Sequence, residues 1–201
     1  NYYGSYQSPA YNATYQFGLT GIGDINGDGW ADMAANFKYG SVDYVRVIYG
    51  RNNWSDVNIA TLTNSASDGF TINASLFATI SNNNNYYNTY GLSQLTIEGV
   101  GDVNNDGYQD FAIGNGFAAS YDNSAGTGKV ALVFGGAYSG GLNLASMSTD
   151  KGITIYSDAA NPTNIGTSIS ALGDVNSDGF ADFALGGPST NGVQGDYLDR
   201  S

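Results

Sequence analysis

Three stretches of the chain, DINGDGWAD from Asp24, DVNNDGYQD from Asp102 and DVNSDGFAD from Asp174, place oxygen-bearing side chains at positions one, three, five and nine around a Gly at position six. Alternate side chains on a tightly curled backbone point inward, the Gly permits the sharp turn, and the seventh residue can offer its carbonyl whatever its side chain. The candidate ligands are Asp24, Asn26, Asp28, the Trp30 carbonyl and Asp32; Asp102, Asn104, Asp106, the Tyr108 carbonyl and Asp110; and Asp174, Asn176, Asp178, the Phe180 carbonyl and Asp182. With water, each set reaches the six to eight oxygens at about 2.3–2.6 Å that calcium takes, whereas magnesium prefers a rigid octahedron and keeps its waters. Asp, Asn and Gly also favour ordinary turns. One copy would leave that reading open; three copies in one chain favour three calcium sites.

An EF-hand loop carries a bidentate Glu at position twelve. Here position twelve is Ala35, Ile113 or Leu185, and the loops run on into MAANF, FAIGNG or FALGGP, short apolar runs that predict strands rather than a helix. Dockerin-type loops fail on the same grounds, and the Gly-rich nonapeptide repeats of calcium-binding β-helices do not occur. The elements around the loops repeat as well. FGLTGIG from Phe17, YGLSQLTIEGVG from Tyr90 and IGTSISALG from Ile165 each lead through a short apolar strand into the loop, and the loops begin 78 and then 72 residues apart. Third strands are predicted at YVRVIYG from Tyr44 and KVALVFGG from Lys129, and fourth strands at GFTINA from Gly69 and GITIYS from Gly152. Four strands per long period predict an all-β chain of β-propeller blades, two complete and the first half of a third. The boundaries are 17–80, 81–160 and 161–201, with 1–16 a Tyr-rich arm or the outer strand of a preceding blade.

These features resemble the FG-GAP repeats of the integrin α-subunit β-propeller, and more closely the bacterial extracellular proteins with tandem copies. The resemblance rests on the Phe-Gly or Tyr-Gly opening, the GD-x-N-x-DG-x-x-D loop and the Gly-Gly-Pro ending at Gly186 to Pro188, in that order. The first repeat departs with NFKYG in place of the ending, and the third opens Ile165-Gly166. The resemblance implies calcium in the loop joining strands one and two, on the lower face of the disc. It also implies ligand recognition on the upper face, from connections at 37–43, 74–92, 115–128, 157–165 and 187 onward. The longest connections carry SNNNNYYNTY from Ser81 and FAASYDNSAG from Phe117, which make Tyr86, Tyr87, Tyr90 and Tyr121 the candidate ligand-binding residues: Tyr gives rigid amphipathic area, and Asn and Ser adaptable hydrogen bonds.

The charge balance points the same way. The formal net charge is −12, and nine of the 18 acidic residues lie in the three loops. Three calcium ions would halve that charge, so metal binding and folding should be coupled. Six Lys and Arg argue against a nucleic-acid partner. Cys is absent, so no disulfide framework exists. Asn12, Asn53 and Asn73 form N-glycosylation acceptors, which so Asn-rich a chain can supply by chance. No signal peptide or membrane-spanning run is visible, and the chain reads as a processed or excised piece.

With no His, the common proton shuttle and the Ser-His and Cys-His nucleophile pairs are unavailable within the chain, and the carboxylates outside the loops lie singly, most of them near predicted turns. The chain is therefore expected to be no enzyme. The reading that best fits is a calcium-binding, secreted or cell-surface adhesion module that takes a protein or glycan ligand and does not insert in a membrane. The alternatives are a structural subunit of an extracellular filament, assembled by strand pairing through residues 1–16, and an accessory domain of a secreted enzyme. Fewer than three blades cannot close a propeller of four to eight. Further blades of a longer chain, or neighbouring subunits, are expected to cover the open edge.

Overall fold

A computed structural model of the chain describes residues 18–39, 42–53, 63–77, 95–116, 128–157 and 163–187. It contains eleven strands among these residues, with two single-turn 3-10 segments at Ser75–Phe77 and Leu144–Ser146. The first blade holds β1 (Leu19–Gly23), β2 (Asp32–Tyr39), β3 (Val42–Ile48) and β4 (Gly69–Asn73), paired antiparallel in chain order. The second holds β5 (Thr96–Gly101), β6 (Asp110–Asn115), β7 (Lys129–Val133) and β9 (Gly152–Tyr156), paired in the same way. A third sheet holds β10 (Ser168–Gly173) and β11 (Asp182–Gly186). The architecture is all-β and blade-like, with β1, β5 and β10 packed side by side.

Alternation of side chains along each strand gives every sheet two faces, and the apolar residues are placed to fill the spaces between sheets. Ile22, Ala34, Val45, Val47 and Ile72 of the first blade meet Phe111, Ile113, Ala131 and Val133 of the second in one buried cluster. Val100, Ala112, Val130 and Leu132 on the other face of the second blade meet Ile169 of the third, with Phe183 and Leu185 packed against them. No blade has a core of its own, which is the economy of a stacked repeat.

Two features depart from the sequence expectation. The sequence places the first connection at 37–43, but β2 runs to Tyr39 and β3 starts at Val42, with Tyr39 opposite Val42, so only positions 40 and 41 join them. The stacked cross-strand pair Phe37 and Tyr44, with ring centroids 5.4 Å apart, extends the ladder beyond the expected end. Asp43 accordingly lies buried in a strand rather than at a turn.

The second departure is a fifth strand in the first sheet. β8 (Leu142–Asn143), from the connection between β7 and β9, pairs parallel with β4 through Ile72 opposite Leu142 and Asn73 opposite Asn143. The same connection buries Leu144 and Tyr138 in the cluster between the blades. The Tyr138 ring stacks on Phe70 at 4.2 Å between centroids and its hydroxyl donates to the Phe134 carbonyl at 2.7 Å, while Lys151 Nζ sits 4.8 Å from the ring centroid. The second blade thereby clasps the first. Tyr138→Ala should cost about 3–5 kcal/mol, the range for a large buried aromatic, whereas Tyr156→Ala at an exposed position should stay within about 0.5 kcal/mol. Urea unfolding of the two variants beside the parent checks this; equal midpoints would mean the clasp contributes nothing.

Candidate metal centres

Each candidate loop grows out of a β-bulge. The pairing of strand one with strand two slips between Gly21 and Gly23, between Gly99 and Gly101, and between Ala171 and Gly173. The extra residue is Ile22, Val100 or Leu172, and the next residue, a Gly, takes φ of +80°, +87° or +71°, a left-handed conformation that side chains rarely adopt. Position four is also left-handed: Gly27 at +73°, Asn105 at +57° and Ser177 at +61°.

The three loops then fold alike, through one set of hydrogen bonds. The position-one carboxylate accepts the N–H of position five through Oδ1, at 3.1 Å for Asp24, 3.1 Å for Asp102 and 3.0 Å for Asp174. Its Oδ2 accepts the N–H of the position-six Gly at 2.8, 2.8 and 2.9 Å. Asn26, Asn104 and Asn176 each accept the N–H of position five and donate an amide hydrogen to the carboxylate there. Asp28, Asp106 and Asp178 accept the N–H of position seven, from Trp30, Tyr108 and Phe180.

Position nine has a second task that the nine-residue motif by itself does not announce. Asp32 Oδ2 accepts the Ile25 N–H at 2.9 Å while Oδ1 accepts the Gly50 N–H, beyond the end of β3, at 2.7 Å. Asp110 does the same with Val103 at 2.8 Å and Gly135 at 2.7 Å. Asp182 accepts Val175 at 2.9 Å. The signal was present in the sequence as a Gly after each third strand, Gly50 and Gly135. At either position a Cβ would press on backbone of the neighbouring loop, Ala31 in one case and Gln109 in the other.

Burial sets the charge state of these anchors. Asp32 and Asp110 are almost wholly buried. Desolvation pushes both carboxyls up to about 6, against the two backbone N–H bonds each accepts and with help from the like charges at positions one and five.

The structure thus brings every sequence-predicted loop residue into the expected loop. The donor chemistry of each set, three carboxylates, an amide oxygen and a main-chain carbonyl, fits a hard cation. In the arrangement seen, however, the carboxylates converge on backbone N–H groups and the Asn amide, and among the described residues no three acidic side chains cluster closely enough to hold a metal ion. Tyr86, Tyr87, Tyr90 and Tyr121, the candidate ligand-binding residues, lie outside the described residues, as does the 1–16 arm.

The loops are also joined to one another. The Gln109 N–H, position eight of the second loop, donates to the Asp24 carbonyl at 3.2 Å, and the Ala181 N–H of the third loop donates to the Asp102 carbonyl at 2.8 Å. The Gly136 N–H reaches the Ile25 carbonyl at 2.6 Å. All three loops therefore sit in one row along the same edge of the blades.

Comparison with known families places this geometry. Residues 96–133, which run from β5 through the second loop and β6 to the end of β7, match the family model of the FG-GAP repeat. The chain thus carries an FG-GAP repeat, flanked on both sides by the same strand-loop-strand unit. No curated protein gives a significant match.

The anchors make stability depend on pH. A carboxyl raised above its ordinary 3.8 in the fold contributes stability that is fully present below that value and is lost as pH rises through about 6. In chelator, the denaturation midpoint should therefore rise between pH 7 and pH 5, and Asp110→Asn should flatten the rise. A midpoint that stays level or falls over that interval in the parent would contradict the burial argument.

Proposed function

With an FG-GAP repeat at its centre and the same unit on either side, we propose that this chain is a calcium-stabilised binding module of an extracellular protein, and not a catalyst. One observation carries the reading: three loops of the same donor composition adopt one hydrogen-bonded conformation and line up along one edge. Asp24, Asn26, Asp28, the Trp30 carbonyl and Asp32 would hold the first ion, with Asp102 to Asp110 and Asp174 to Asp182 holding the second and third. A bound cation supplies charge that the nearby carboxylates lack, since among the described residues they accept hydrogen bonds from backbone and Asn only. It acts as a staple in a chain without cysteine.

The chain's own residues do the rest. In the first two blades position nine ties the loop to the exit of strand three, which fixes the lower edge of those blades and leaves the opposite edge for recognition. The connections that carry 81–90 and 117–126 start and end at strands of that opposite edge, and their Tyr-rich and Asn-rich composition suits a protein or glycan ligand. FG-GAP repeats occur in extracellular proteins, which supports secretion or surface display. Among the described residues no helix is long and apolar enough to cross a membrane.

Titration calorimetry of chelator-treated protein should show three calcium ions per chain. At free calcium about a hundredfold above Kd, each site adds roughly 2.7 kcal/mol, so chelator should lower the melting temperature by many degrees. Asp106→Ala should remove one ion and part of that shift. Absence of calcium heat, with melting curves identical in calcium and chelator, would reduce the loops to ordinary turns.

A further inference from the structure

The first loop differs from the other two at position four, and the difference is chemical. That position is Gly27 in the first loop but Asn105 and Ser177 in the second and third. All three take the same left-handed turn, at φ of +73°, +57° and +61°. Where Gly follows Asn, the next backbone nitrogen meets least obstruction on its way to the side-chain amide carbon, because no Cβ stands beside it. Asn26 and Gly27 are such a pair, whereas Asn104 and Asn176 are followed by residues with side chains.

The groups around that pair are those a ring closure would need. The Gly27 N–H donates to Asp24 Oδ1 at 2.8 Å, so a carboxylate already holds the proton that an attacking nitrogen must lose. Among the described residues, Asp102 and Asp174 accept only the N–H groups of positions five and six. Asn26 Oδ1 accepts the Asp28 N–H at 3.0 Å, a donor placed where negative charge would develop on that oxygen. Asn26 Nδ2, the nitrogen that would leave, donates to Asp28 Oδ2 at 2.9 Å. Asn26 is half-buried and Gly27 exposed, so water reaches the pair.

We propose that Asn26 is a self-modification site: Asn26 and Gly27 close to a succinimide with Asp24 as the base, and the ring then opens to aspartate or isoaspartate. Asp24 takes the proton from the Gly27 nitrogen as that nitrogen bonds to Asn26 Cγ, and the charge moves to Oδ1. The bond from Cγ to Nδ2 then breaks, the proton passes from Asp24 through solvent to the departing nitrogen, and ammonia leaves. Water adds to either ring carbonyl. Breaking the new bond to Cγ leaves ordinary aspartate, whereas breaking the original peptide bond leaves isoaspartate, with the main chain rerouted through Cβ and Cγ. The reaction consumes only water and needs no ion in the loop. Either product sets a second carboxylate against Asp28 in place of a hydrogen bond. Isoaspartate also displaces Gly27, which sits so close to the second loop that a Cβ on it would lie 2.8 Å from the Tyr108 ring. The modification therefore acts on the joint between the first two loops.

Peptide mass mapping tests it, on the full chain incubated in chelator at neutral pH and a temperature where circular dichroism shows it folded, beside the same chain unfolded in urea. The peptide spanning Asn26 should gain the mass of amide-to-acid conversion and separate into aspartate and isoaspartate forms, while those spanning Asn104 and Asn176 stay unchanged over the same period. The folded chain should react at least about tenfold faster than the unfolded one, since a positioned base contributes about 10²–10⁴ in rate. Asp24→Asn keeps the shape of the side chain but not the base. It should slow the folded reaction at least about tenfold and leave the rate in urea unaltered. Gly27→Ser, which takes the residue type of position 177, should suppress conversion in both states. The comparison of folded with unfolded parent decides the matter whether or not the variants fold. Conversion no faster in the folded chain than in urea overturns the proposal. So does conversion of Asn104 or Asn176 at the rate of Asn26, or an Asp24→Asn variant that folds and reacts like the parent.

Discussion

The structure turns on a carboxylate that is buried because it must reach two strands at once. At position nine, Asp32 and Asp110 accept one N–H from the start of their own loop and another from just beyond the third strand. Bonds of that kind, with a charged acceptor, contribute about 1.5–3 kcal/mol each. They do not fully offset the desolvation, as the raised carboxyls show. What the carboxylate secures is geometry: the loop is closed, the exit of strand three is fixed beside it, and the bulge that aims Ile22 or Val100 at the neighbouring blade is held open. Asp182, whose sheet has two described strands, retains the first bond and shows the same loop more exposed.

The loops and the principal strands were legible because their signals are local. Alternating apolar residues, a Gly before the first Asp and a Gly at position six specify a strand, a bulge and a turn within a dozen residues, and β4 and β9 begin at the predicted Gly69 and Gly152. What escaped the sequence is what depends on distant partners. Two residues at Leu142 and Asn143 carry no periodicity, and their partners Ile72 and Asn73 lie a full repeat away. Nor does the sequence around Asp32 announce that one oxygen of its carboxylate is reserved for Gly50. The approach of β2 to β3 escaped for another reason: the resemblance puts a connection at 37–43, yet Phe37 and Tyr44 stack across the ladder and Tyr39 still pairs with Val42.

Because both cores lie between sheets, each blade is stabilised only by its neighbours. A sheet with one uncovered face loses half of its apolar burial, which makes the contacts between blades, rather than the ladders within them, the level at which such a chain is stable. The backbone bonds from Gln109 to Asp24 and from Ala181 to Asp102 run through the loops themselves, so a change in the shape of one loop bears directly on the next.

The parallel strand β8 gives the chain a direction in time. The first sheet lacks its outermost strand until residues 142 and 143 have left the ribosome, and the stacking partner of Phe70 does not exist before Tyr138 is made. A nascent chain that has emerged as far as residue 80 has its four strands with an open edge at β4 and an uncovered apolar face, a state exposed to wrong pairing during vectorial synthesis. Completion of the first blade is thus postponed to the middle of the second.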